Sequence, residues 1–419
     1  MSGFGTFQSA AASPTLAALL YLLDRVLQGN AFYQEKLASL EPTGLASLRD
    51  FSDRVPFSTK SEFVADQAVH PPYGRNLTQS IARYTRLHQT SGTTGSPLRW
   101  LDTPESWEVV VQDWVEVFKQ AGIHAGDRLF FAFSFGPFLG FWGAFEAAQR
   151  LGCLVIAGGG MSTALRARVI LENRCTVLCC TPTYALHLAD QARLEGLDLA
   201  TSAIRRIVVA GEPGGSIPAF RDRLQCAWNG ARVFDHHGMT EVGPVTYEDP
   251  EQPGTLVLLD RSHFAEVIDP ATLRPTPAGQ TGELVLTTLR RIDSPAIRYR
   301  TGDLVRAPND SPSGPTKLIG GILGRVDDMV VVRGVNVYPT GIDQWVRSIP
   351  ELGEYRVTVD ARQPMLELRI EAEGSAAAAL ELERRLRAQL GLRIPVEPVA
   401  SGVLPQFEMK ARRWRRVEA

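Results

Sequence analysis

The spacing of apolar residues divides the chain into stretches of different period. In residues 14–40, Leu16, Leu19, Leu20, Leu23, Val26 and Leu27 fall on one stripe, which predicts an amphipathic helix. Between residues 80 and 250, short β-branched or aromatic runs alternate with longer amphipathic ones. RLFFAFSF precedes FLGFWGAFEAAQRLG, LVIAGG precedes a helical stretch to Glu172, TVLCCTP precedes TYALHLADQARLEG, and RRIVVAGE follows. This rhythm predicts βαβ units, and hence a mostly parallel sheet with helices on both faces. From 250 to 305 the runs shorten to TLVLL, FAEVID and GELVLTTL, which predict an antiparallel or barrel-like subdomain.

Beyond the Pro/Ser/Gly loop at 307–317, the pattern changes again. MVVVRGVNVYP predicts a hairpin, a short helix starts at Thr340, YRVTVD and MLELRIEAE predict strands, and AAAALELERRLRAQL (376–390) predicts a helix. The expected fold is α/β. A large N-terminal domain spans 1–326, with mostly parallel sheets and a barrel-like subdomain, and a small mobile α+β domain spans 327–419.

Composition changes this picture little. At 419 residues the chain can bury a sizeable core, and 44% hydrophobic with 21% charged residues is ordinary for a soluble globular protein. A formal net charge of -2 gives no electrostatic reason to expect nucleic acid or a membrane surface as partner. The basic tail ARRWRR (411–416) predicts a solvated helix or tail. Five cysteines, Cys153, Cys175, Cys179, Cys180 and Cys226, form no CxxC pair and predict reduced, packed thiols, as in a cytoplasmic protein. The uncharged stretch LFFAFSFGPFLGFWGAF (129–145) is short for a membrane span and carries Gly-Pro, so strand, turn and helix is the reading. No N-terminal targeting signal is expected.

The chemistry concentrates at HQTSGTTGSP (88–97). Thr90, Ser91, Gly92, Thr93, Thr94 and Gly95 form an unbroken run of hydroxyls and glycines, suited to wrapping backbone N–H groups around an anion. It is not a Walker loop, because Gly92 and Gly95 stand too close and no lysine follows. Downstream come HHGMTE (236–241), YRTGDL (299–304), GRVDDMVVVRGVNVYP (324–339) and FEMKARR (407–413).

In this order and over these distances, the motif set resembles the adenylate-forming superfamily of acyl-CoA synthetases. GFWGAFEAAQRLGCLVI, CTPTYALHLAD, AGEP and RGVNVYP look most like its phenylacetate-CoA ligase branch. The likeness runs from about residue 50 to the C-terminus. It implies a ligase that joins a carboxylic acid to ATP as acyl-AMP, releases pyrophosphate, and passes the acyl group to coenzyme A. Transfer to a carrier-protein phosphopantetheine or a nitrogen nucleophile, or loss of catalysis in a nucleotide-binding regulator, are the alternatives. The implied cofactors are ATP, Mg2+ and coenzyme A.

The resemblance also implies roles. Lys410, delivered from the small domain, supplies the cation that the loop lacks, bridging carboxylate and α-phosphate; Met409 stands beside it where relatives often have glycine. Glu241 resembles the family's magnesium-linked glutamate, and Thr240 the donor to the α-phosphate. Zinc held by His237 and Glu241 would lack further ligands. Ala210, Gly211, Glu212 and Pro213 would form one wall of the adenine slot, with His236, His237 and Gly238 opposite; His237 replaces the usual tyrosine. Asp303 would accept from both ribose hydroxyls. Arg325 resembles the ribose- or phosphate-side arginine, and Asp327 the hinge between domains. Gly334, Val335 and Asn336 would line a pantetheine tunnel after rotation of the small domain. Phe135 and Phe138 would line the acid pocket. The absence of Lys or Arg from SFGPFLGFWGAF fits an aromatic or medium-length apolar monocarboxylic acid.

Overall fold

A computed structural model describes residues 13–90, 97–307, 316–332, 335–362, 366–407 and 411–417. Five parallel strands build the central sheet, in the spatial order Leu154–Ala157, Arg128–Phe131, Val177–Cys180, Arg206–Val209 and Arg232–Asp235. Crossover helices cover both faces, which explains why VLCC is buried at every position. One face packs against Ala167, Tyr184, Leu188, Phe220 and Trp228, and the other against Val110, Trp114, Phe118 and Ala147. The stretch 129–145 is strand, turn and helix, the helix running Leu139–Arg150.

Two antiparallel sheets follow. His263–Ile268, Thr281–Thr288, Tyr299–Arg306 and Gly324–Arg325 form one, and Thr246–Glu248, Thr255–Leu258 and Lys317–Ile319 the other. Against them packs the N-terminal helical region, through Leu19, Leu23, Val26, Phe51 and Phe63. The single helix expected over 14–40 is two, Pro14–Gly29 and Ala31–Lys36. The break is at Asn30, which is fully buried: its Oδ1 caps the second helix by accepting from the Tyr33 N–H (3.1 Å), and its Nδ2 donates to Asn76 Oδ1 (2.9 Å). Gly29 permits the turn, since a Cβ there would lie 2.5 Å from the Thr78 carbonyl oxygen.

From Val330 onward the chain has a core of its own, with Val332, Ile342, Val346, Val357, Ile370, Leu382 and Leu386 at its centre. The hairpin Val330–Val332/Val335–Val337 precedes the helix Pro339–Arg347. A four-stranded sheet follows, ordered Val396–Val399, Glu367–Glu373, Tyr355–Asp360 and Trp414–Val417, with the helix Ala376–Leu390 packed on it. The helix has the ends its sequence predicts: Ser375 accepts from Ala378 N–H, and Gly391 closes it at φ 67°.

The basic tail differs from expectation. Trp414–Val417 is an edge strand parallel to Tyr355–Asp360, and Arg413 is buried in an ion pair with Glu354. Trp414 and Val417, at its two ends, are partly buried, while Arg415 and Arg416 between them are exposed, a pattern masked by the density of charge. Four cysteines are buried as expected, whereas Cys226 is exposed. No helix among the described residues is long and apolar enough to cross a membrane.

Candidate active site

Strand alternation assembles the first part of the site. In Tyr299–Arg306, Tyr299, Thr301 and Asp303 share one buried face. The Tyr299 hydroxyl donates to Glu241 Oε1 at 3.1 Å, and Lys60 Nζ stands 4.0 Å from the same oxygen. Glu241 is 4% exposed, whereas Lys60 is half-exposed at the start of the helix Lys60–Val69. Burial, and then Glu241, push the Tyr299 phenol far above its ordinary pKa, so it remains a donor.

Four residues along that strand, Asp303 pairs in register with Arg325 of the neighbouring strand. Arg325 Nη1 donates to Asp303 Oδ1 at 2.9 Å, and His237 Nε2 lies 3.3 Å from Asp303 Oδ2. Arg325 Nε donates to Asp327 Oδ1 at 3.0 Å. Burial opposes the charge on Arg325, but Asp303 and Asp327 outweigh it and raise its pKa. The glycine of TGD is required here: Gly302 has φ +75°, and a Cβ would lie 2.7 Å from Arg325 Nη2.

A buried ion pair supports the turn that carries Thr240 and Glu241. Arg291 binds Asp102 through Nε (2.6 Å) and Nη2 (2.7 Å), while its Nη1 donates to the Thr240 carbonyl at 2.8 Å. Burial would raise the Asp102 pKa, but Arg291 and His88 hold it below the carboxylate value. His88 and Asp102 lie on the antiparallel strands Arg86–Gln89 and Arg99–Asp102, which bracket the hydroxyl-rich loop. Ser91, Gly92, Thr93, Thr94 and Gly95 lie outside the described residues. Thr90 uses its Oγ1 to accept from the Leu98 N–H (3.1 Å), which fixes the base of the loop.

The acid-pocket candidates adjoin this hairpin, because Gln89 N–H donates to the Pro137 carbonyl (2.7 Å). Phe135 holds a left-handed backbone (φ 51°) and packs on Phe131, Trp142 and Phe145; Phe138 packs on Phe141. A bulky residue at positive φ is a strained arrangement of the kind found at ligand sites.

Ala210, Gly211, Glu212 and Pro213 follow the strand Arg206–Val209 at the carboxyl edge of the parallel sheet, where ligand crevices open. Gly238 lies in the short strand Gly238–Met239. Unlike His237, His236 turns into the core: it packs on Trp114 at 4.2 Å, and its Nδ1 is 2.6 Å from the Thr246 carbonyl oxygen. Burial drives its pKa down to about 3, so the ring is neutral. Val335 packs on the small-lobe core, and the Asn336 backbone pairs with Val331. Gly334 and Lys410 lie outside the described residues.

Two contributors were not anticipated. Tyr299 sits inside a recognised motif, and its alternation with Asp303 could have revealed it. Lys60 gives no such signal, since Thr59 and Glu62 around it read as a capping box.

The comparisons with known proteins agree in kind. Residues 85–288 match the model of the AMP-binding enzymes, and residues 334–415 that of the AMP-binding enzyme C-terminal domain. The chain is 31% identical to a phenylacetate-coenzyme A ligase of Pseudomonas putida over 94% of its length and 92% of the relative's. It is 33% identical to one of Thermus thermophilus over 84% of the chain and 78% of the relative. A solved structure of 2-hydroxyisobutyryl-CoA ligase in the postadenylation state, in complex with 2-HIB-AMP, superposes with TM-score 0.91 at 29% identity, covering 99% of this chain and 94% of that one. The same ligase in the thioesterification state gives 0.72 at 32% identity, covering 96% and 89%. The likeness over the whole chain is thus higher to the postadenylation structure than to the thioesterification one. The chain belongs to the adenylate-forming AMP-binding enzymes, in their phenylacetate-CoA ligase branch.

Proposed function

We propose that this protein is an ATP-dependent acid–CoA ligase, which activates an aromatic or apolar monocarboxylic acid as acyl-AMP and transfers it to the thiol of coenzyme A. The observation that carries the reading is the likeness, over nearly the whole chain, to a CoA ligase holding an acyl-adenylate.

In the first half-reaction a carboxylate oxygen attacks the α-phosphorus of ATP, and pyrophosphate leaves. Two anions must meet, so preorganised positive charge is the main requirement. Lys410 is assigned to the carboxylate and α-phosphate, Thr240 and the 90–95 loop to phosphate oxygens. Lys60 adds a cation beside Glu241. Asp303, oriented by Arg325, takes the ribose hydroxyls, while Ala210 to Pro213, His237 and Gly238 flank the adenine; the buried His236 supports that wall from behind. Glu241 suits magnesium: it is a hard carboxylate, and no cluster of three acidic, His or Cys groups exists among the described residues that would favour a fully protein-bound ion. Bound magnesium would neutralise phosphate charge, with Glu241 as its protein ligand. In the second half-reaction the thiolate of CoA attacks the acyl carbonyl and AMP leaves. Here the 327–419 lobe turns about Asp327 and presents Gly334, Val335 and Asn336 to the pantetheine. Phe135 and Phe138 line the acid end.

The test is pyrophosphate release over a panel of aromatic and aliphatic acids, with CoA present or omitted. Acid-dependent pyrophosphate, with AMP and thioester formed only when CoA is added, is expected. Turnover indifferent to CoA would refute the acceptor.

A further inference from the structure

The carboxylate of Glu212 is shared between the lobes. Its Oε1 accepts the Thr183 N–H at 2.8 Å, and its Oε2 accepts the Ala411 N–H at 2.9 Å. Thr183 opens the helix Pro182–Leu194 after the strand Val177–Cys180, and Glu212 follows the adjacent strand Arg206–Val209. Both therefore stand at the carboxyl edge of the large-lobe sheet, while Ala411 immediately follows Lys410 in the small lobe. Two acceptor oxygens meet two backbone donors, a match that only a carboxylate satisfies at this position. Two residues on, Arg413 donates through Nη2 to Thr183 Oγ1 (3.3 Å) and to Glu354 Oε2 (3.0 Å). Glu212, Thr183 and Glu354 thus hold the chain on either side of residue 412.

We propose that Glu212 is a positioning residue for the adenylation half-reaction: it clamps the backbone next to Lys410 against the large lobe, with Thr183 and Arg413 completing the clamp. This rests on the ligase reading above and on Lys410 as its adenylation lysine. A clamp between lobes is made only in the arrangement described here, so Glu212 favours acyl-AMP formation over thioester formation. An adenine contact by the same carboxylate would serve both halves alike.

Glu212→Gln replaces one acceptor by an amino group that faces a backbone donor. Acid-dependent pyrophosphate release without CoA is expected to fall about tenfold, as for loss of a hydrogen bond to a charged group. Thioester formation from supplied acyl-adenylate should fall much less. Thr183→Val keeps the N–H that Glu212 accepts, loses only the hydroxyl facing Arg413, and should shift the ratio of the two half-reactions in the same direction by a few-fold. Equal losses in both halves, or none in either, would overturn the proposal. Lys410→Ala, measured alongside, separates the layers. If it abolishes pyrophosphate release while Glu212→Gln spares it, the clamp alone is wrong; if it leaves pyrophosphate release intact, the lysine assignment beneath falls too.

Discussion

At the scale of single residues, the candidate site is built from pairs that are distant in sequence and adjacent in space. Tyr299 and Glu241 are such a pair, and Tyr299→Phe removes the donor to Oε1 while keeping the ring that packs in the core. Adenylation should slow roughly tenfold, and the magnesium concentration for half-maximal rate should rise; an unchanged magnesium titration would detach Tyr299 from the site. Asp113 shows the opposite case, a charge outside the chemistry. Burial pushes its carboxyl up to about 6, against the pull of Ser262 and Arg261. A raised carboxyl pKa adds stability that is complete below the ordinary value near 4 and lost as pH climbs to about 6. The stability of the protein relative to Asp113→Asn should therefore decline between about pH 4 and 6 and then level off, as read from denaturant midpoints across that range. The motifs carrying Asp303 and Glu241 were legible because they set residue type at fixed spacing, and the fold buries both carboxylates at the candidate site. Tyr299 and Lys60 were not assigned, because their partner is reached only through the fold.

At the scale of elements, period and punctuation placed four of the five parallel strands, the helices between them and, residue for residue, the C-terminal helix, but neither the strand Arg232–Asp235 nor the helix Pro218–Ala227 before it. The failures share a cause. Period alone marks no break at Asn30, yet its side chain holds two segments together through Tyr33 and Asn76. Asn30→Ala should lower stability by about 2 kcal/mol, the sum of a lost cap and a buried acceptor, Asn76 Oδ1, left without its donor. The specific activity of the folded fraction should not change. The hairpin Arg86–Gln89/Arg99–Asp102 and the strand Trp414–Val417 escaped for a related reason: each is short, rich in polar residues, and defined by a neighbour elsewhere in the chain.

At the scale of the whole molecule, a buried charge cluster of the small lobe lies against the large one. Arg347 and Arg413, with Asp343 and Glu354, are each less than a tenth exposed, and the Arg347 guanidinium lies over Phe220 of the large lobe. Arg223 crosses to the Leu352 carbonyl at 2.9 Å. Burial would raise the Glu354 pKa, but Arg413 and Arg347 hold it below the carboxylate value. Glu354→Ala strands two buried arginines with Asp343 alone and should destabilise the small lobe by about 3 kcal/mol, seen as an earlier unfolding transition in calorimetry.

That contact has a consequence for turnover. Under the proposed rotation of the small lobe the halves part and rejoin at every cycle, and such a motion gains little from an oily junction, which resists wetting. Here arginines reach across to a ring face, a hydroxyl and a backbone carbonyl, partners that water replaces with a small difference in free energy, so separation stays reversible. The medium then becomes a participant: dissolved ions compete for the same arginines, and the rate of switching between chemistries should follow ionic strength even where substrate affinity does not.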